Sequence, residues 1–209
     1  MRAIPKNIED ISYLVSKIGR SPLRGILLYP WLPRGSRIPF IGKNVKIISA
    51  RNLLFGKFVW IGHGCYIDGH SQHQCKFGHG TTIREYSVVQ CRSGLNSRGH
   101  SLTTGCNVFI GPFAKIGVGG QVNIGNNCQI GSHFSLNAES HAALEGNYVS
   151  GQVSRKGINI GENVWIGDKV TILDGVNIGR NSVVGAGSVV RSSFPEGSTL
   201  VGAPARQVK

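Results

Sequence analysis

Along the chain, aliphatic side chains recur at a fixed interval of six. The run is strictest at Ile160, Ile166, Ile172, Ile178, Val184 and Val190. Glycine follows at Gly161, Gly167, Gly179 and Gly185, and a small or β-branched residue stands four places after the aliphatic at Val164, Val170, Val176, Ser182 and Ser188. The same phase appears at Ile41-Gly42, Ile61-Gly62, Phe77-Gly78, Ile110-Gly111, Ile124-Gly125 and Ile130-Gly131. Six is a multiple of the strand period of two and not of the helical period. The spacing therefore predicts short strands that return the same face inward each time. The glycines and Asn44, Asn126, Asn127, Asn163 and Asn181 suit sharp turns between them, because both residue types accept positive φ. Short strands, regular turns and a fixed period predict a parallel β solenoid. A β sandwich spaces its turns roughly 8–12 residues apart.

Four stretches break the phase: residues 68–76, 90–105, 117–123 and 137–157. Insertions in a solenoid become loops on one side, where function tends to gather. The first 40 residues do not carry the repeat. Asn7 can cap a helix, Ile8, Ile11, Leu14, Val15 and Ile18 form one apolar stripe, and Gly19 can end it, so an amphipathic helix is predicted over 7–18. Pro22, Pro30, Pro33 and Pro39 then predict an irregular basic connector. The chain divides into this N-terminal segment, 1–40, and a prism, 41–209, with the longest loop at 137–157.

Composition narrows the classes. Glycine supplies 30 of 209 residues, which argues against a helical bundle, and the glycines do not recur every third residue as collagen requires. With 40% apolar and 16% charged residues the chain is not disordered. Neither a stretch long enough to span a membrane nor an export signal is legible, so the five cysteines are expected as reduced thiols in a cytoplasmic protein. The net charge is +13, and residues 1–60 hold eleven Lys/Arg against Glu9 and Asp10. Such a basic end predicts an anionic partner.

The repeat closes with NVWIGDKVTILDGVNIGRNSVVGAGSVV (163–190) and VGAPAR (201–206). This resembles the left-handed parallel β-helix (hexapeptide-repeat) acyltransferases, and among them the sugar and polysaccharide O-acetyltransferases of the galactoside and maltose acetyltransferase type. The resemblance implies a homotrimer whose active sites lie in clefts between neighbouring prisms, with acetyl coenzyme A along the cleft. It implies that His141, in NAESHAAL, is the catalytic base. A neutral imidazole can take the proton from a sugar hydroxyl, which is otherwise a poor nucleophile toward a thioester. Glu139 and Asn137 share that loop and can orient the imidazole or bind the acceptor. Trp165 is expected beside the pantetheine arm, with Gly167, Asp168 and Ala186 as backbone contacts. Arg191 and Arg206 are expected near the nucleotide phosphates, since arginine matches phosphate geometry. GPFAK (111–115) offers neither the acidic residue nor the asparagine that some relatives place at the acceptor.

These readings predict an acetyl-coenzyme A-dependent O-acetyltransferase acting on a sugar or glycan, in capsule or lipopolysaccharide biosynthesis. The apolar stripe and basic end add an expected peripheral contact with an anionic membrane surface at its cytoplasmic face. Several rivals remain open at this level: antibiotic or other small-molecule acetylation, a zinc anhydrase on the same solenoid, and a non-catalytic scaffold or nucleic-acid binder. Cys65, His70, His73, Cys75 and His79 are zinc-ligand types, but their spacing matches no finger or ribbon, so no metal is expected. The basic end lacks a recognisable nucleic-acid module, so no nucleic-acid partner is expected either.

Overall fold

The computed structural model describes residues 18–94, 97–141 and 153–208, with Ile8, Glu9 and Ser12 before them. The helix expected over 7–18 thus lies largely outside the described residues, although Ile8, Glu9, Ser12 and Ile18 have helical backbone.

From Phe40 onward the chain winds as a three-sided prism of parallel strands, as the period of six predicts. Strands Phe40–Ile41 (β1), Lys46–Ile48 (β2) and Leu53–Phe55 (β3) each open one sheet, and Trp60–Ile61 (β4) returns to pair in parallel with β1. The three sheets reach nine, seven and six strands, the nine-stranded one ending in an antiparallel pair, Thr199–Gly202 with Ala205–Gln207. Each repeat aliphatic points into the shared core: Ile160, Ile166, Ile172, Ile178, Val184 and Val190 are all buried. Removing such a side chain from water is worth about 1.5–3 kcal/mol. Ser182 and Ser188 are buried too, and their hydroxyl oxygens accept the Ser198 and Gly202 amides at 3.2 Å.

The turn chemistry differs from the expectation in part. Asn44, Asn127, Asn163 and Asn181 do hold positive φ, near 54–59°, but Asn126 does not, and neither do Gly161, Gly167, Gly179 and Gly185. Those glycines answer a different constraint. A Cβ on Gly161 would lie 2.5 Å from the Arg180 amide nitrogen, and one on Gly167 would lie 2.7 Å from that of Ala186. The next coil passes too close for any side chain. Bulky residues also take the left-handed turn position, at Tyr86, Phe113 and His133, where their rings stack coil on coil at 5.0–5.4 Å.

All four interruptions leave the prism at one corner, where the seven-stranded sheet passes to the six-stranded one. They follow Tyr66–Asp68, Val88–Gln90, Lys115–Gly117 and Ser135–Asn137 in successive coils. They are shorter than the sequence suggests, because Ser101–Thr104 and Gln121–Ile124 are strands of the six-stranded sheet. The interruptions also stack on one another: the Gln72 and His73 amides donate to the carbonyls of Gly99 and His100, and His100 N–H donates to Gly119.

The connector before the prism is not wholly irregular. Residues Ser21–Leu28 form a helix, α1, followed by a single 3₁₀ turn at Tyr29–Trp31. Pro22 falls in the first turn of α1, where a missing N–H costs nothing, so this proline starts a helix instead of preventing one.

Candidate active site

The longest loop is held at both ends by local chemistry. It begins after Ser135–Asn137, and its two limbs pair antiparallel, Ser140 opposite Ser154 and His141 opposite Val153. Asp174 fixes the returning limb: its carboxylate accepts the Lys156 and Gly157 amides at 3.0 and 2.9 Å and the Ser154 hydroxyl at 3.2 Å.

His141 sits on this paired stem with its side chain about half exposed, and Glu139 beneath it is largely buried. His141 Nε2 lies 3.2 Å from Glu139 Oε1, and Arg155 Nε donates to Glu139 Oε2 at 2.7 Å. A carboxylate only accepts, so Nε2 is the donor in this contact, which in a neutral imidazole puts the lone pair on Nδ1. Arg155 in turn donates to the Arg98 carbonyl at 3.3 Å and to the Ser97 hydroxyl. The short hairpin of Arg92–Gly94 with Ser97–Arg98 thereby braces the carboxylate that braces the imidazole. Charge-assisted bonds of this kind are about twice as strong as neutral ones.

Beside the carboxylate lies a recess of about 190 Å³, lined by Gln90, Lys115, Gly117, Val118, Asn137 and Glu139. Gly117 occupies in its coil the register that Gln90 and Asn137 occupy in the coils on either side. The recess therefore opens where a side chain is missing. The strand running out of GPFAK supplies Lys115 and this gap in place of an acidic residue or asparagine.

The expected donor-side residues form a second group elsewhere. Trp165 is 57% exposed on the nine-stranded sheet, in register with Gln129 and Val183. Gly167 and Asp168 make the following corner, with Ala186 packed on Gly167 from the next coil. The Gly167 amide donates to the Val184 carbonyl. Asp168 accepts the Ser132 amide at 2.6 Å, which holds its carboxyl below the usual aspartate range. Arg206 is exposed on the closing antiparallel strand of the nine-stranded sheet. Arg191 is exposed on the His141 corner, just after Val189–Val190. Within one chain, then, His141, Glu139 and Asn137 come together with Arg155, and Trp165, Gly167, Asp168 and Ala186 come together on a different corner.

The cysteine and histidine run does not converge: among the described residues no three His, Cys, Asp or Glu side chains are placed to share a metal. All five cysteines are free thiols, with Cys75 and Cys91 sulfurs 3.6 Å apart. Burial pushes the Cys65 thiol up to about 11.

Sequence reasoning missed Arg155, Asp174, Lys115 and Gln90. In SRKG, Arg155 looks like any solvated loop cation. Only the fold shows that it closes the chain of contacts behind His141.

Residues 157–192 match the family model described as bacterial transferase hexapeptide (six repeats). The coils beyond the long loop thus match a hexapeptide-repeat model. Over 88 residues the chain is 35% identical to a galactoside O-acetyltransferase of Escherichia coli, covering 42% of this chain and 43% of that protein. It is 30% identical over 194 residues to the bifunctional protein GlmU of Acinetobacter baylyi, covering 81% of this chain and 39% of that one. The chain spans less than half the length of these curated relatives. It is also similar to a solved hexapeptide-repeat acetyltransferase of Vibrio cholerae, complexed with acetyl coenzyme A. The TM-score is 0.50 at 21% identity, over 99% of this chain and 91% of that one. The shared fold is the left-handed parallel β-helix, an exception to the right-handed crossover rule.

Proposed function

We propose that this chain transfers an acetyl group from acetyl coenzyme A to a sugar hydroxyl, during the assembly of a surface polysaccharide such as capsule or lipopolysaccharide. The observation that carries the reading is the His141–Glu139–Arg155 chain beside an open polar recess.

His141 Nδ1 takes the proton of the acceptor hydroxyl while Nε2–H stays on Glu139. The freed oxygen attacks the acetyl carbonyl carbon, and the thioester bond breaks. The sulfur leaves as a thiolate and receives the proton back from the imidazolium. Glu139 stabilises the imidazolium in between, and Arg155 keeps Glu139 aimed. Asn137, Gln90 and Lys115 suit an acceptor rich in hydroxyls. The recess lies on an outer corner, which suits a long glycan as well as a short sugar. The galactoside relative supports a sugar acceptor.

Donor binding falls to Trp165, Gly167, Asp168, Ala186, Arg191 and Arg206. Trp165, Gly167, Asp168 and Ala186 stand on a different corner from His141, so one thioester meets both groups where two copies pack side by side. A homotrimer supplies three such clefts. The prism contacts an anionic membrane surface peripherally, at its cytoplasmic face. Exposed Leu23, Leu27 and Trp31 beside the basic N-terminal residues support this. Among the described residues no helix is long and apolar enough to cross a membrane.

The test is to mix the protein with acetyl coenzyme A and a panel of galactosides, oligosaccharides and bacterial polysaccharides, and to follow free thiol release. Release that depends on a saccharide, with an O-acetyl ester on the product, is the expected result. Release only with amines, or none across the panel, contradicts the reading.

A further inference from the structure

Two cavities adjoin at the N-terminal end of the prism, on the corner that follows the nine-stranded sheet and away from the His141 loop. The first, of about 420 Å³, carries Arg20, Arg24, Lys43 and His63 on its walls, with Trp60 and Tyr86 beside them. The second, of about 380 Å³, is lined by Leu27, Leu28, Trp31, Ile41, Val45 and Ile47. Arg24, Gly42 and Asn44 line both, so the cationic and apolar halves are continuous. Glu85 also faces the first cavity, but its carboxylate is held by Arg84 at 2.7 Å. Among the described residues, Arg20 and Lys43 pair with no carboxylate. Arg24 is held in place by donating to the Ile41 carbonyl at 3.1 Å, which leaves its other N–H groups available.

Helix α1 is built to leave the apolar half uncovered. Its buried residues are Ser21 and Gly25, while Leu23, Ile26 and Leu27 are 58%, 51% and 75% exposed. Gly25 meets the Pro39 carbonyl so closely that a Cβ would overlap its oxygen. The helix packs through Ser21, Gly25 and Leu28 and turns Leu23, Ile26 and Leu27 outward.

We infer that the joined cavities bind the phosphate ester of a long hydrocarbon chain. The phosphate sits among Arg20, Arg24, Lys43 and His63, and the chain runs over Leu27, Leu28, Trp31 and Ile47. A bare anion leaves the apolar half unused, and a neutral chain leaves Arg20, Arg24 and Lys43 unanswered by any carboxylate among the described residues. Only a ligand with both parts satisfies the whole surface. The inference goes beyond acetyl transfer and uses none of the residues assigned to that reaction, while it shares Leu27 and Trp31 with the membrane contact proposed above.

The experiment titrates the full chain with dodecyl phosphate below its micelle concentration, and separately with inorganic phosphate and with dodecyl maltoside. Binding is followed by tryptophan emission, which Trp31 and Trp60 report from within the cavities. The expected result is saturable binding of dodecyl phosphate, at least about tenfold tighter than either comparison ligand. The Arg20→Glu/Lys43→Glu double variant and Leu27→Glu should each weaken it by about tenfold. All three positions are exposed, so the fold should be retained, with melting unchanged as the control. Inorganic phosphate binding as tightly overturns the inference in favour of a bare anion site. Dodecyl maltoside binding as tightly overturns it in favour of an unselective apolar patch. No saturable binding also overturns it, and means that another part of the chain or a second copy covers the surface.

Discussion

At the scale of single residues, the site depends on how His141 is held. A histidine on a loop is ordinarily a solvated side chain. Here Glu139 fixes its tautomer, and Arg155 fixes Glu139 against the neighbouring hairpin. Arg155 reaches neither substrate in this account, so it is a positioning residue. Arg155→Ala should lower kcat by about 10²-fold, the scale of a misplacement near 1 Å, while the coenzyme A Kd stays unchanged. Arg155→Lys should recover little, because a single ammonium cannot serve Glu139, Ser97 and the Arg98 carbonyl together. Steady-state kinetics with separate donor-binding measurements check both. A parallel loss of donor affinity would mean that Arg155 shapes the whole cleft. That His141, Glu139 and Asn137 share one loop was legible in the sequence because a long insertion interrupts a strict repeat there, and the role proposed for His141 came from the family resemblance. The part of Arg155 was not legible, because its partners lie in another insertion, far away in sequence, and a single chain position carries no sign of that.

At the scale of elements, the period of six made the strands legible and their turns only partly so. The asparagines follow the left-handed turn rule, whereas the repeat glycines exist because the coil above leaves no room. Both constraints put glycine in a sequence, and only the geometry separates them. Gly161→Ala therefore tests close approach directly. Its Cβ would meet the Arg180 backbone at 2.5 Å, so the variant should lose about 1–3 kcal/mol in urea unfolding, the usual cost of overpacking. A neutral substitution would show that the coils can separate freely. Helix α1 was missed for the opposite reason: prolines read as breakers, and Pro22 is a starter. The stacking of all four insertions on one corner was also beyond the sequence. It depends on how many residues each coil takes, which the interruptions themselves obscure.

At the scale of the whole molecule, the fold separates what the chemistry needs to join. The His141 loop leaves one corner of the prism, and Trp165 with the Gly167–Asp168 turn lies on another. In the proposed reading the prism is one wall of a cleft, and a neighbouring copy is the other. This division follows from a solenoid that stacks its coils and presents each sheet outward. The repeat and its interruptions revealed the prism, while the acceptor remains a matter of the recess that Gly117 opens beside Asn137 and Glu139. The account's central claim is that His141 moves the proton in acetyl transfer, and the most direct measurement is the turnover of His141→Ala with acetyl coenzyme A and the best acceptor found. The account predicts a fall of about 10²–10⁴-fold, the range for a general base, with the coenzyme A Kd and the thermal midpoint unchanged. Turnover close to that of the unaltered protein would contradict it.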